Sequence, residues 1–203
     1  MNFLTNFTIS FFFSFIGTVP PGSLNISVVQ LGLDNKISAA WRFAIAAALV
    51  EYPYAWVALK FEHFITSSPL ILDNILLITA VVMTSLGVFN LWSVRKPTRY
   101  SAKFYDSGFR RGILLSMLNP LAIPFWVGTT AFLNGQNWID LSTSSGLHGY
   151  LIGVSAGALC FLMLAAYLAK KIVAELQMGA RVNKLPGLIL IALGIYAFVK
   201  YLV

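Results

Sequence analysis

A chain of 203 residues that is 58% hydrophobic and only 10% charged falls far below the quarter of charged residues that a soluble globule carries, which excludes a water-soluble fold. The net charge of +7 does not mark a nucleic-acid binder. The basic residues fall between apolar stretches of about 20 residues, each long enough to cross roughly 30 Å of hydrocarbon as a helix and to leave its flanking Lys and Arg at an anionic cytoplasmic leaflet.

The first apolar run, 1–33, carries no charge, so it lacks the basic region of a removable signal peptide and is expected to stay in the mature protein. As one helix it would be about 50 Å long, too long for a bilayer without strong tilt. Pro20-Pro21-Gly22 interrupts it. Proline removes an amide donor and clashes with the preceding turn, and glycine admits backbone conformations that alanine cannot, so the first span is predicted to break there. The half-helix beyond the break begins with unsatisfied amides at Ser23 to Asn25, a partial positive charge suited to a carboxylate.

The second run, 39–61, holds Glu51 near its middle. A charged side chain at the bilayer centre costs about 3 kcal/mol even on lenient insertion scales, so Glu51 must face the protein interior. Around it Ala44, Ala48, Ala55 and Ala58 form a stripe of small side chains at helical spacing, while Phe43, Leu49, Trp56, Val57 and Leu59 are expected on the bulkier remaining surface. On the close-packing side, a proton and a solute ammonium group could neutralise Glu51 in alternation, a minimal antiport scheme. A permanently protonated acid donating one interhelical hydrogen bond is the simpler alternative.

The third run, 70–93, contains Asn90, and the fourth, 112–133, contains Ser116 and a second interruption at Asn119-Pro120, followed by Pro124. Half-helix amides at Leu121 to Ile123 would repeat the arrangement of the first break. The fifth run, 147–169, carries Gly149, Gly153 and Gly157 at every fourth position. That face permits close helix approach and would serve a dimer contact or a sliding surface between halves. The sixth run is 185–202. Cys160 is the single cysteine, which excludes an intrachain disulfide and dithiol chemistry. His63 and His148 lack acidic or histidine companions at metal-ligand spacing, and no motif calls for a metal or cofactor. Trp41, Tyr52, Trp92, Trp138 and Tyr201 are expected to include interfacial anchors.

Twelve of the fourteen basic residues fall in alternate loops: Lys36 and Arg42; Arg95, Lys96, Arg99, Lys103, Arg110 and Arg111; and Lys170, Lys171, Arg181 and Lys184. Only Lys60 and Lys200 lie opposite, so the positive-inside rule places both termini outside. The expected fold is therefore all-α, a single integral membrane domain over 1–203 with six transmembrane helices. It divides into repeat one, 1–94, a basic cytoplasmic loop, 95–111, and repeat two, 112–203. Three spans per half make the repeats inverted, and paired interruptions in spans one and four are the best sequence pointer to a transporter site near the midplane.

The segment Gly17-Thr18-Val19-Pro20-Pro21-Gly22-Ser23-Leu24-Asn25, the acid Glu51, and Phe109-Arg110-Arg111-Gly112 followed by Leu118-Asn119-Pro120 together resemble the lysine exporter (LysE/RhtB-type) family of bacterial amino-acid efflux proteins. Ser23 stands where a second proline is usual in that family, and Leu121 where a basic residue is frequent. The resemblance implies proton-driven export of an amino acid or related small metabolite across the bacterial cytoplasmic membrane. It leaves a homo-oligomer open, and the direction of transport comes from it alone. The expected partners are a small-molecule substrate, protons and membrane lipids. The expected solute ligands are Pro21, Gly22, Ser23, Asn25, Asn119 and Pro120, with Glu51 as the proton-coupling group. The alternatives are a divalent-cation exporter of a related six-helix fold, for which one membrane carboxylate is a sparse ligand set, and a non-transporting scaffold. An intramembrane enzyme finds no carboxylate pair, Cys/His pair or zinc motif.

Overall fold

The computed structural model describes residues 3–19, 22–67, 74–93, 108–119, 122–171 and 185–202, and within them every regular element is helical. In chain order these are α1 (Phe3–Gly17), α2 (Ser23–Leu33), α3 (Ile37–Ser67), α4 (Ile75–Ser93), α5 (Gly108–Met117), α6 (Ala122–Gly135), α7 (Ser144–Tyr167) and α8 (Leu185–Leu202). Two stretches, Ile37–Phe61 and Ser144–Tyr167, are long and apolar enough to cross a bilayer by themselves. The axes of α5 and α6 meet at 66°, and counting that pair as one span makes three among the described residues.

Helix ends follow local chemistry. Val19 precedes a proline and so disfavours helical backbone, and α1 stops just before it, at Gly17. Gly22 caps α2 in an extended conformation, φ −140° and ψ −178°, and supplies no side-chain acceptor. The far end of α2 turns on Asn35, whose φ of 57° is in the left-handed region that asparagine tolerates. There the amides of Asn35 and Lys36 return to the carbonyls of Gly32 and Leu31 at 3.1 and 2.9 Å, a Schellman closure. Helix α6 ends the same way. Asn137 has φ 56°, and the amides of Asn137 and Trp138 return to Asn134 and Leu133 at 2.9 and 3.0 Å.

Two parallel contacts organise the packing. Gly149, Gly153 and Gly157 of α7 abut the backbone carbonyls of Phe3, Phe7 and Phe11 of α1, in step, every fourth residue on both helices. The choice left open by the glycine spacing is thus settled in part: this face receives α1. A buried Asn6 locks the start of α1, donating to the carbonyls of Asp140 and Gly146 at 2.7 and 3.0 Å. In the second contact, Gly108 and Gly112 of α5 abut the carbonyls of Ala39 and Phe43 of α3. Elsewhere α8 lies on α4, with Gly194 against Ala80 and Thr84.

These contacts correct two expectations. Phe43 and Leu59 are buried, not on the outer surface with Leu49 and Trp56, because the glycine face of α5 draws in the Phe43 side of α3 and Leu59 joins an apolar cluster with α6 and α7. Arg110 and Arg111 lie within α5, which begins at Gly108. Arg111 is buried rather than part of a solvated loop, and its Nη2 donates to Ser27 Oγ of α2 at 3.0 Å. The remaining basic residues of that loop, Arg95, Lys96, Arg99 and Lys103, lie outside the described residues, as do Arg181 and Lys184.

Candidate functional site

The interior is built as two apolar clusters. In the first, Phe43, Ala44 and Ala47 of α3 pack with Val28 and Leu31 of α2 and with Leu162 and Ala166 of α7. In the second, Ala55, Ala58 and Leu59 of α3 pack with Trp126 and Leu133 of α6 and with Tyr150 and Val154 of α7. Glu51 lies on α3 between the two. The alanine stripe expected around it is buried throughout: Ala44, Ala48, Ala55 and Ala58.

The carboxylate of Glu51 is held from α6. Trp126 Nε1 donates to Glu51 Oε2 at 2.7 Å, and the indole, itself buried, packs edge-on against Phe125 and Tyr150. Tyr150 in turn shares a 2.7 Å hydrogen bond with Thr130. One turn beyond Glu51, Tyr54 donates its hydroxyl to the carbonyl of Met117, the last residue of α5, at 2.6 Å. Pro53 stands between them inside α3 and leaves the Leu49 carbonyl without its usual helical donor.

The two interruptions meet at the start of α6. Gly17, closing α1, abuts the ring of Phe125 in the first turn of α6, so the end of α1 meets the start of α6. Any side chain at position 17 would meet that ring. Asn25 is buried, and its Nδ2 donates back across the first interruption to the Thr18 carbonyl at 2.6 Å, stapling the start of α2 to the end of α1. Ser23 is exposed and Gly22 half-buried. No described atom beyond its chain neighbours lies within 4 Å of where a Cβ on Gly22 would stand. At the second interruption the Asn119 amide bonds to the Ser116 carbonyl at 3.1 Å, and its carbonyl accepts from the Ala122 amide at 3.4 Å. One of the amides expected free there is thus engaged. Pro20, Pro21, Pro120 and Leu121 lie outside the described residues.

Sequence reasoning missed Trp126, Tyr54 and Phe125. A signal for Trp126 was present: an indole N–H at membrane depth needs an acceptor, and Glu51 is the carboxylate available there. Tyr52, expected as an interfacial anchor, shares a 2.8 Å hydrogen bond with His148 Nδ1 and so ties α3 to α7.

Apolar helices long enough to cross a bilayer mark a membrane protein. A model of the LysE type translocator family matches residues 15–201, and the chain belongs to that family. It is a transporter and not an enzyme. The chain is also 25% identical over 191 residues to a protein of Bacillus subtilis (strain 168) named "Putative amino acid efflux protein YcgF", with 88% of each chain covered. No solved structure matches.

Proposed function

We propose that this translocator is a proton-coupled secondary transporter that exports an amino acid, or a related small zwitterionic or cationic metabolite, across the cytoplasmic membrane. Glu51 alternates between a proton and the solute ammonium group. The amides that open α2 after Gly22, with Ser23, and the backbone around Asn119 receive the solute carboxylate. Pro21 and Pro120 act by withholding amide donors, and Asn25 by holding the first break open in its shape. The direction, outward, and the solute class follow the name borne by the Bacillus relative.

The observation that carries this reading is the placing of Glu51 between two apolar clusters, at 2.7 Å from the indole of Trp126, whose neighbour Phe125 abuts the end of α1, and one turn before Tyr54, which bonds to the end of α5. A bond to a structural acid would be satisfied anywhere in the bundle; here it falls where the helices are discontinuous and where irregular backbone has to face protein or a water-filled path.

An architecture of two inverted three-helix repeats is supported by pairs of like features. Helix α1 runs parallel on α7 through small residues, as α5 does on α3, and an inversion relating span one to four and two to five exchanges these contacts. The second half-helices, α2 and α6, close with the same asparagine motif at Asn35 and Asn137. Both termini lie outside in this arrangement.

Counterflow in proteoliposomes tests the coupling. The parent accumulates a transported amino acid with a rate that depends on pH, and Glu51→Gln loses that dependence. Transport by Glu51→Gln at the parental rate with the parental pH profile would overturn the coupling role.

A further inference from the structure

Hydroxyl groups in a membrane helix usually return to a carbonyl three or four residues back. Thr8, Ser10 and Thr18 do so on Leu4, Phe7 and Ser14 at 2.8, 3.2 and 2.7 Å, and Ser14 instead crosses to the Val154 carbonyl at 2.6 Å. Ser116 of α5 does neither. It is 1% exposed, and its Oγ is buried with no hydrogen-bond partner among the described residues. A desolvated hydroxyl left this way is a standing cost to the fold.

Its surroundings are fixed by the contacts on either side. One turn earlier, Gly112 abuts Phe43 and Ala46 of α3. One residue later, the Met117 carbonyl accepts from Tyr54 of α3. Gly108, Gly112 and Ser116 share one face of α5 at spacings of four. The same step of four sets Ser116 opposite Ala47 of α3, one turn before Glu51. Among the described residues Ser155 Oγ of α7 is also unpartnered, but it lies on α7, outside the contact between α3 and α5.

We propose that Ser116 is a solute-binding residue, whose hydroxyl donates to the carboxylate of an α-amino acid while Glu51 meets its ammonium group. Two groups of α3 and α5, one turn apart, then read both ends of the solute backbone, and an amine lacking the carboxylate loses one of them. The assignment rests on the transport reading above, and its test separates the two.

Counterflow is measured in proteoliposomes with radiolabelled L-threonine, L-leucine and L-lysine, for the parent, Ser116→Ala and Ser116→Thr. For whichever probe the parent moves, Ser116→Ala raises KM about tenfold, the weight of one hydrogen bond to a charged group in a dry site, with the maximal rate little changed. Its thermal midpoint is equal to or above the parent's, since an unsatisfied group has been removed. Ser116→Thr, which keeps the hydroxyl, restores KM to within about threefold of the parent, less than the loss of one such bond. A parental KM in Ser116→Ala overturns the assignment and leaves the transport reading standing. A parent that moves none of the three probes overturns the transport reading, and the assignment with it.

Discussion

Trp126 donates its indole N–H to the Glu51 carboxylate at 2.7 Å, so the first turns of α6 are tied to the middle of α3. Each group is a polar handle in an apolar setting, and each answers the other's need for a partner. The bond also spans the two proposed repeats.

A double-mutant cycle of Trp126→Phe and Glu51→Leu, which keeps much of the side-chain volume and removes the acceptor, measures that tie. A buried hydrogen bond contributes about 1 kcal/mol net, so a coupling of about 1 kcal/mol is expected in chemical unfolding of the detergent-solubilised protein. Additive effects would show that the two side chains stabilise the bundle independently.

Glycine positions separate packing from propensity. A Cβ at Gly153 would meet the Phe7 carbonyl and Ser10 Oγ, so Gly153→Ala should destabilise by about 1 to 3 kcal/mol, the range for overpacking a close contact. At Gly128 of α6 a Cβ meets no described atom within 4 Å, and Gly128→Ala should raise stability by about 0.8 kcal/mol through helix propensity. Thermal midpoints check both signs.

Gly22 offers a different separation. Its φ of −140° is open to any residue, and a Cβ there has space. Gly22→Ala should therefore fold with a loss of no more than about 1 kcal/mol at the cap position. Gly22→Leu should also yield folded protein but fill the space before α2 and lower transport well below the Gly22→Ala level. Equal transport by the two variants would remove this space from the solute path.

Outside the spans, Asp140 is held down to about 2, from an ordinary 3.8, chiefly by the hydroxyl and then by the amide of Ser142. A depressed carboxyl contributes stability that is complete above its unfolded value and is lost as pH falls through its folded one. The loop that Asn6 clamps through the Asp140 carbonyl should thus keep this contribution above pH 3.8 and lose it towards pH 2. In Ser142→Ala the Asp140 titration should move up towards 3.8, as read by carbon-13 NMR of labelled aspartate.

Hydropathy and proline placement made the helical class and the end of α1 short of Pro20 legible, because each is a local consequence of residue type. The Ala44, Ala48, Ala55 and Ala58 stripe was legible for the same reason, and all four are buried. The identity of neighbours was not. Periodicity assigns a face to a helix and says nothing of what covers it, which is why it does not reveal that α5 buries Phe43, that Arg111 reaches Ser27 from within α5, or that α1 lies on the Gly149 to Gly157 face. The pairing of Glu51 with Trp126 spans 75 positions and depends on how α6 leans across α3, which no short window of sequence contains.

If the seam holding Glu51 is the solute path, it admits polar molecules from both faces of the membrane. This is tested most directly by placing a thiol there: Glu51→Cys in a Cys160→Ser background, with a charged, membrane-impermeant thiol reagent applied in turn to each side of sealed vesicles. Modification is expected from both sides, slowed by the transported amino acid. Modification by lipid-soluble reagents alone, at a rate indifferent to solute, would contradict it.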